Sequence, residues 1–136
     1  MFEIKWKGKM LFEGISPSGH SILMDAKPEV GGENKGPQPM EVLLLALGGC
    51  TGMDVISILN KMRQKVKEFK IKIHFKRAKE HPKVYTEINL LYEFKGENLE
   101  YEKVKKAVDL SQNKYCSISA MLRKTAKINY EIKILE

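Results

Sequence analysis

A chain of 136 residues is long enough to bury one hydrophobic core without disulfide or metal staples and short of two ordinary domains, so residues 1–136 are read as a single domain. With 43% hydrophobic and 30% charged residues, the composition is globular rather than disordered. The net charge of +7 rests on 21 scattered lysines against Arg63, Arg77 and Arg123; without clustered arginine or stacking aromatics this is a solvated surface, and no nucleic-acid partner is expected.

Residues 1–7 lack the uninterrupted apolar stretch of a signal peptide, and the longest apolar run, residues 42–47, is far short of the ~20 residues of a membrane span. A cytoplasmic protein without membrane attachment is expected. In that reducing compartment Cys50 and Cys116 are either inert buried thiols or working ones.

In chain order, Phe2, Ile4 and Trp6, then Met10 and Phe12, flank Lys7-Gly8-Lys9 and read as a hairpin. Residues 16–19 form the next turn, residues 20–25 a third short strand, and residues 27–37 a loop rich in Gly and Pro. From Pro39 to about Lys65 breakers almost vanish. One long helix is expected there, with Pro39 in its first turn and a first half apolar nearly all round, so that it is buried on every side. A domain of this size can hardly enclose such a helix, which points to a partner subunit.

Phe69, Ile71, Ile73 and Phe75 alternate with Lys70, Lys72, His74 and Lys76; Val84, Thr86, Ile88, Leu90, Tyr92 and Phe94 repeat the pattern after a short connection, predicting an antiparallel pair. Tyr101, Val104, Val108 and Ser111 lie at helical spacing over residues 100–113. A further short helix is predicted from Ser117 as N-cap to Thr125, with Ile118, Met121 and Leu122 inward. Ile128, Tyr130, Ile132 and Ile134 close the chain as a strand. The fold class is α+β, with antiparallel sheets around a long buried central helix in the order βββ-α-ββ-αα-β.

Cys50 stands among Gly48, Gly49 and Gly52 in the middle of the long helix. Each glycine there costs about 1 kcal/mol relative to alanine, so a close approach by another helix or a ligand is expected, with a helix crossing at a dimer interface preferred. Cys116 precedes the second short helix, where orphan backbone donors and the helix dipole favour a thiolate. For each cysteine the plain alternative is a small, packed apolar side chain. No pair among His20, His74 and His81 and the cysteines has zinc-like spacing, and no metal is expected.

The run Gly36-Pro37-Gln38-Pro39-Met40-Glu41-Val42-Leu43-Leu44-Leu45-Ala46-Leu47-Gly48-Gly49-Cys50-Thr51, followed by Asp54 and later by Lys114-Tyr115-Cys116-Ser117-Ile118-Ser119, resembles the OsmC/Ohr family of osmotically inducible and organic-hydroperoxide-resistance proteins. Gly19-His20, Met24-Asp25 and Gly31-Gly32 resemble its OsmC-like branch. The resemblance implies an intertwined homodimer with central cysteine-bearing helices. It also implies a thiol-dependent peroxidase in oxidative-stress defence: Cys50 attacks a small or organic hydroperoxide and becomes a sulfenic acid, Cys116 resolves it as a disulfide, and a dithiol of the lipoyl type restores both. No cofactor is implied.

The chain departs from the family pattern at two places. Hydroperoxidases of the family carry Glu ten residues before the attacking cysteine, where this chain has Met40, and Glu41 is nine residues before it. At about 100° per residue, that shift turns Glu41 to the far side of the helix from Cys50. The family's activating Arg in the N-terminal strands is missing as well, and His20 or one of Lys5, Lys7 and Lys9 is left to supply positive charge. Glu41 and His20 are therefore the supporting candidates. The alternative function is a non-catalytic or redox-responsive binding protein that kept fold and cysteines.

Overall fold

The computed structural model describes residues 1–135 and has two units, residues 1–45 and the chain from Ala46 onward. The first unit holds the antiparallel sheet β1 (Glu3–Trp6), β2 (Phe12–Ile15) and β3 (Ser21–Met24) in that order, with Trp6 opposite Phe12 and Phe12 opposite Met24. The expected first hairpin turns at Gly8 and Lys9, both at positive φ. After β3 the loop folds round Asp25, whose carboxylate accepts the backbone N–H groups of Ala26, Glu33 and Lys35. These bonds, that from Lys35 foremost, hold the carboxyl below its ordinary range.

Helix α1 (Pro39–Lys61) begins in this unit and runs on into the second, ending four residues before the expected Lys65 because the chain turns at Arg63, which has φ 57°, to enter β4. Its start is a capping box: the Gln38 N–H donates to Glu41 Oε1 at 2.8 Å, satisfying a donor the helix leaves orphaned. By length and composition alone α1 could cross a membrane.

In the second unit β4 (Lys65–Arg77), β5 (Tyr85–Glu97) and β6 (Lys127–Ile134) form a sheet with β5 central. The alternating rows meet as predicted: Phe69 opposes Phe94, Ile71 opposes Tyr92 and Ile73 opposes Leu90, and the Phe69 and Phe94 rings stack at 4.4 Å. The alternation slips at one end. A register irregularity between Lys76 and Arg77 turns Tyr85 inward, edge-on to Phe75, and leaves Thr86 exposed.

The sheet is not wholly antiparallel, as had been expected, because β6 pairs parallel to β5. Between them lie α2 (Tyr101–Leu110), a π turn (Ser111–Tyr115) and α3 (Ser117–Leu122). A crossover of that length returns the chain to the end where β5 began, and a returning strand then runs parallel. Strand alternation alone carries no information about direction.

The unit's core consists of Leu47, Val55 and Leu59 of α1, Ile88, Leu90, Tyr92 and Phe94 of β5, and Val104, Ala107 and Val108 of α2. Leu47, Thr51, Val55 and Leu59 repeat every four residues, one stripe of the helix. Burial of the helix on every side was expected only with a partner subunit; in the single chain Met53 on another face of α1 is 76% exposed, because one three-stranded sheet covers only one side of a cylinder. The expected inward row of α2 holds at Val104, Val108 and Ser111, whereas Tyr101 is half exposed.

Gly96 is the tightest backbone approach in this unit, since a Cβ there would overlap the Lys65 carbonyl oxygen and stand 3.0 Å from Leu99 Cγ. Gly96→Ala is expected to lower stability by about 1–3 kcal/mol, as overpacking does. The check is the midpoint of urea unfolding; an unchanged midpoint would refute the close approach.

Candidate functional site

Cys50 lies in the second unit, on α1 one residue before the buried stripe position Thr51. Two of the three glycines around it face a strand of the same chain. A Cβ on Gly48 would touch Ile73 Cδ1 at 3.4 Å and one on Gly52 would touch Ile71 Cδ1 at 3.5 Å, so both let α1 settle onto the apolar row of β4; Gly49 faces open space. The helix crossing preferred from the sequence is not the contact these two glycines make.

Cys116 reaches the same place from a distant part of the chain. The π turn at the end of α2 is closed by the Cys116 N–H bonding to the Ser111 carbonyl at 2.8 Å, a five-residue turn of the kind that recurs at functional sites. The N-cap of α3 is Cys116 itself and not Ser117, its Sγ accepting the Ser119 N–H at 3.4 Å. Ser119, three residues on, is buried with Cys116, whereas Met121, expected inside, is 71% exposed.

Both cysteines are free, Cys50 half-buried and Cys116 3% exposed. Their sulfurs and a carboxylate oxygen of Asp54 all lie within 4.8 Å of one another. Cys50 and Asp54 are four residues apart on α1 and share a face. The sequence reading held Asp54 only as part of the family motif, although that spacing from Cys50 was the signal that would have raised it to a candidate. Burial pushes the Cys116 thiol up; the bonds from Ser119 oppose this, and the neighbouring Cys50 adds to it. The helix N-terminus therefore does not give Cys116 the net thiolate preference expected from its position.

A chain of buried and part-buried hydrogen bonds with one consistent direction ends at Asp54. Arg123 Nη2 donates to the Gln112 carbonyl at 2.8 Å and to its Oε1 at 3.3 Å, so that Gln112 presents Nε2 to Tyr92 Oη at 2.7 Å. Tyr92 then donates to Thr51 Oγ1 at 2.7 Å, Thr51 to Ser111 Oγ at 2.6 Å, and Ser111 to Asp54 Oδ2 at 3.0 Å. The series leads from a guanidinium to the carboxylate beside the two sulfurs. Burial of Tyr92 pushes its phenol up to about 12, so it serves only as a neutral donor and acceptor.

Glu41 and His20 belong to the first unit. Glu41 is engaged in the capping box, and His20 Nδ1 stands 3.0 Å from Ser18 Oγ in the turn between β2 and β3, beside a shallow apolar hollow lined by Phe2, Ile4, Ile15 and Ile22. Among the described residues, the group able to share a metal contains no histidine.

Comparison with known proteins shows the family and the fold. Residues 32–131 match the sequence model of the family described as OsmC-like protein. Protein YhfA of Escherichia coli K12 is 42% identical over 132 residues, spanning 97% of this chain and 96% of its own. A hypothetical protein from Aquifex aeolicus VF5 superposes with a TM-score of 0.82 at 38% identity, covering 100% and 97% of the two chains. An organic hydroperoxide resistance protein, OsmC, from Legionella pneumophila shares the fold with a TM-score of 0.69 at 12% identity, covering 98% and 96%.

Proposed function

The chain belongs to the OsmC-like protein family, and from that premise we propose that it is a thiol-dependent peroxidase reducing organic or small hydroperoxides through Cys50 and Cys116. The observation that carries the reading is the convergence of two free thiols, 66 residues apart in sequence, at one place in the second unit. The hydroperoxide resistance named for the Legionella protein belongs to that protein and supplies the reaction class.

Of the two sulfurs, Cys50 is the more accessible to a peroxide and is assigned the attack. Its thiolate forms an S–O bond as the O–O bond breaks; the departing alkoxide takes a proton and leaves as alcohol, and Cys50 becomes a sulfenic acid. Cys116 then displaces the hydroxyl, which takes a proton and leaves as water, and a disulfide remains. An external dithiol of the lipoyl type reduces that disulfide by exchange and is itself oxidised, so that two electrons pass from dithiol to peroxide. No resident cofactor takes part. The working protein is proposed to be a cytoplasmic homodimer, a reading supported by the uncovered apolar positions Leu45 and Met53 on α1.

A second reading, a redox-responsive binding protein without fast turnover, is favoured by one observation. The Asp54 carboxylate stands within 4.8 Å of both sulfurs, where it opposes a thiolate, and the ion pairs among the described residues lie elsewhere. Reduced protein mixed with an equivalent of tert-butyl hydroperoxide separates the two. Loss of both thiols within seconds, with a mass decrease equal to two hydrogens, is the expected result; two thiols that survive minutes of exposure favour the binding protein.

A further inference from the structure

The same cluster has a chemistry that does not depend on peroxide. We propose that the reduced protein binds one soft divalent cation, Zn²⁺ being the reference ion, through Cys50 Sγ, Cys116 Sγ and a carboxylate oxygen of Asp54.

Geometry allows it. Three atoms with no mutual separation above 4.8 Å share a centre within about 2.8 Å of each, so small side-chain movements bring them to the usual metal distances of about 2.3 Å for sulfur and 2.0–2.2 Å for oxygen. Two of the ligands sit at i and i+4 on one helix and the third at the N-cap of another, so regular secondary structure holds all three.

Ligand chemistry narrows the ion. Two thiolates and one carboxylate suit zinc and disfavour the hard cations magnesium and calcium, which take oxygen ligands only. A surrounding shell is also present. Ser111 donates to Asp54 Oδ2, as outer-shell partners do for ligating carboxylates, and the hydrogen-bond chain through Thr51 and Tyr92 fixes Ser111. Three protein ligands leave a fourth position open to water.

Charge completes the argument. No Lys, Arg or His nitrogen lies within 4.0 Å of the Asp54 carboxylate among the described residues. A divalent cation joins one carboxylate and two thiols with release of two protons, leaving a site of net charge −1. The metal and the disulfide claim the same sulfurs, so they are mutually exclusive.

The test is titration of fully reduced protein with Zn²⁺ against a chromophoric chelator, and with Co²⁺ followed by absorption. One metal per chain, sulfur-to-cobalt charge-transfer absorption and masking of both thiols from a disulfide reagent are expected. Asp54→Asn, checked for folding by circular dichroism, should bind at least about tenfold more weakly, the loss that even an outer-shell partner's removal causes. Alkylation of folded wild-type protein, which without any substitution converts a thiol to a thioether unable to become a thiolate, should abolish tight binding. Alkylated protein that binds as well as reduced protein, or a folded Asp54→Asn with unchanged affinity, overturns the proposal. Peroxide consumption is not read, so zinc binding without peroxidase activity would sustain this site and count against the function proposed above.

Discussion

Cys50→Ser is expected to abolish hydroperoxide consumption, by at least about a thousandfold, while Cys116→Ser keeps the first turnover and loses the rest. The asymmetry follows from where the fold puts the two sulfurs. Cys50 is half-buried on α1, whereas Cys116 is enclosed, caps α3 through its sulfur and has its thiol pushed up by burial. A serine hydroxyl at Cys50 offers no thiolate to attack the O–O bond. At position 116 serine keeps a cap, indeed a better one than cysteine, so the helix survives and only the resolving step is lost. Stopped-flow peroxide loss with and without a dithiol checks both statements. In Cys116→Ser the sulfenic acid at Cys50 should persist long enough to be trapped by a 1,3-dione. If Cys116→Ser destroys the first turnover and Cys50→Ser retains it, the roles are reversed.

Thr51→Val is expected to cost about 2–4 kcal/mol of stability with little change of shape. Thr51 Oγ1 is fully buried, accepts from Tyr92, donates to Ser111 and lies 3.4 Å from Gln112 Nε2. Valine removes the hydroxyl and strands two buried groups, each worth about 1–3 kcal/mol when left unsatisfied. Tyr92→Phe removes a different link: Gln112 Nε2 loses its 2.7 Å acceptor and Thr51 loses a donor, so the two effects should be far from additive. A double-mutant cycle read by urea unfolding measures this coupling. A Thr51→Val protein within about 0.5 kcal/mol of wild type would show that the hydroxyls do not act as a network. The same substitution bears on the site, because Ser111 is held at Asp54 by Thr51.

The sequence by itself determined the elements of the second unit and the identity of the thiol pair. Alternation in residues 69–75 and 88–94 is a local consequence of a strand with one wet face, and the antiparallel pairing of the two strands follows from the short connection between them, whereas the register that sets Phe69 opposite Phe94 depends on the irregularity between Lys76 and Arg77. The helix starting at Pro39 was likewise legible from the absence of breakers and from a proline suited to its first turn. Family motifs marked Cys50 and Cys116.

Only the tertiary structure decided the rest, because each remaining feature joins residues far apart in the chain. The direction of β6 depends on the crossover before it. Gly48 and Gly52 beside Cys50 make room for β4, a partner no local pattern could name. Thr51, Tyr92, Ser111 and Gln112 are unremarkable in sequence and become a network only when α1, β5 and the π turn meet. Asp54 sits one helical turn after Cys50, but its place beside two sulfurs required Cys116 to arrive from 62 residues further on. Hydrogen bonds and thiol chemistry act over a few ångströms, and the chain brings such groups together only by burying the apolar rows whose spacing the sequence does record.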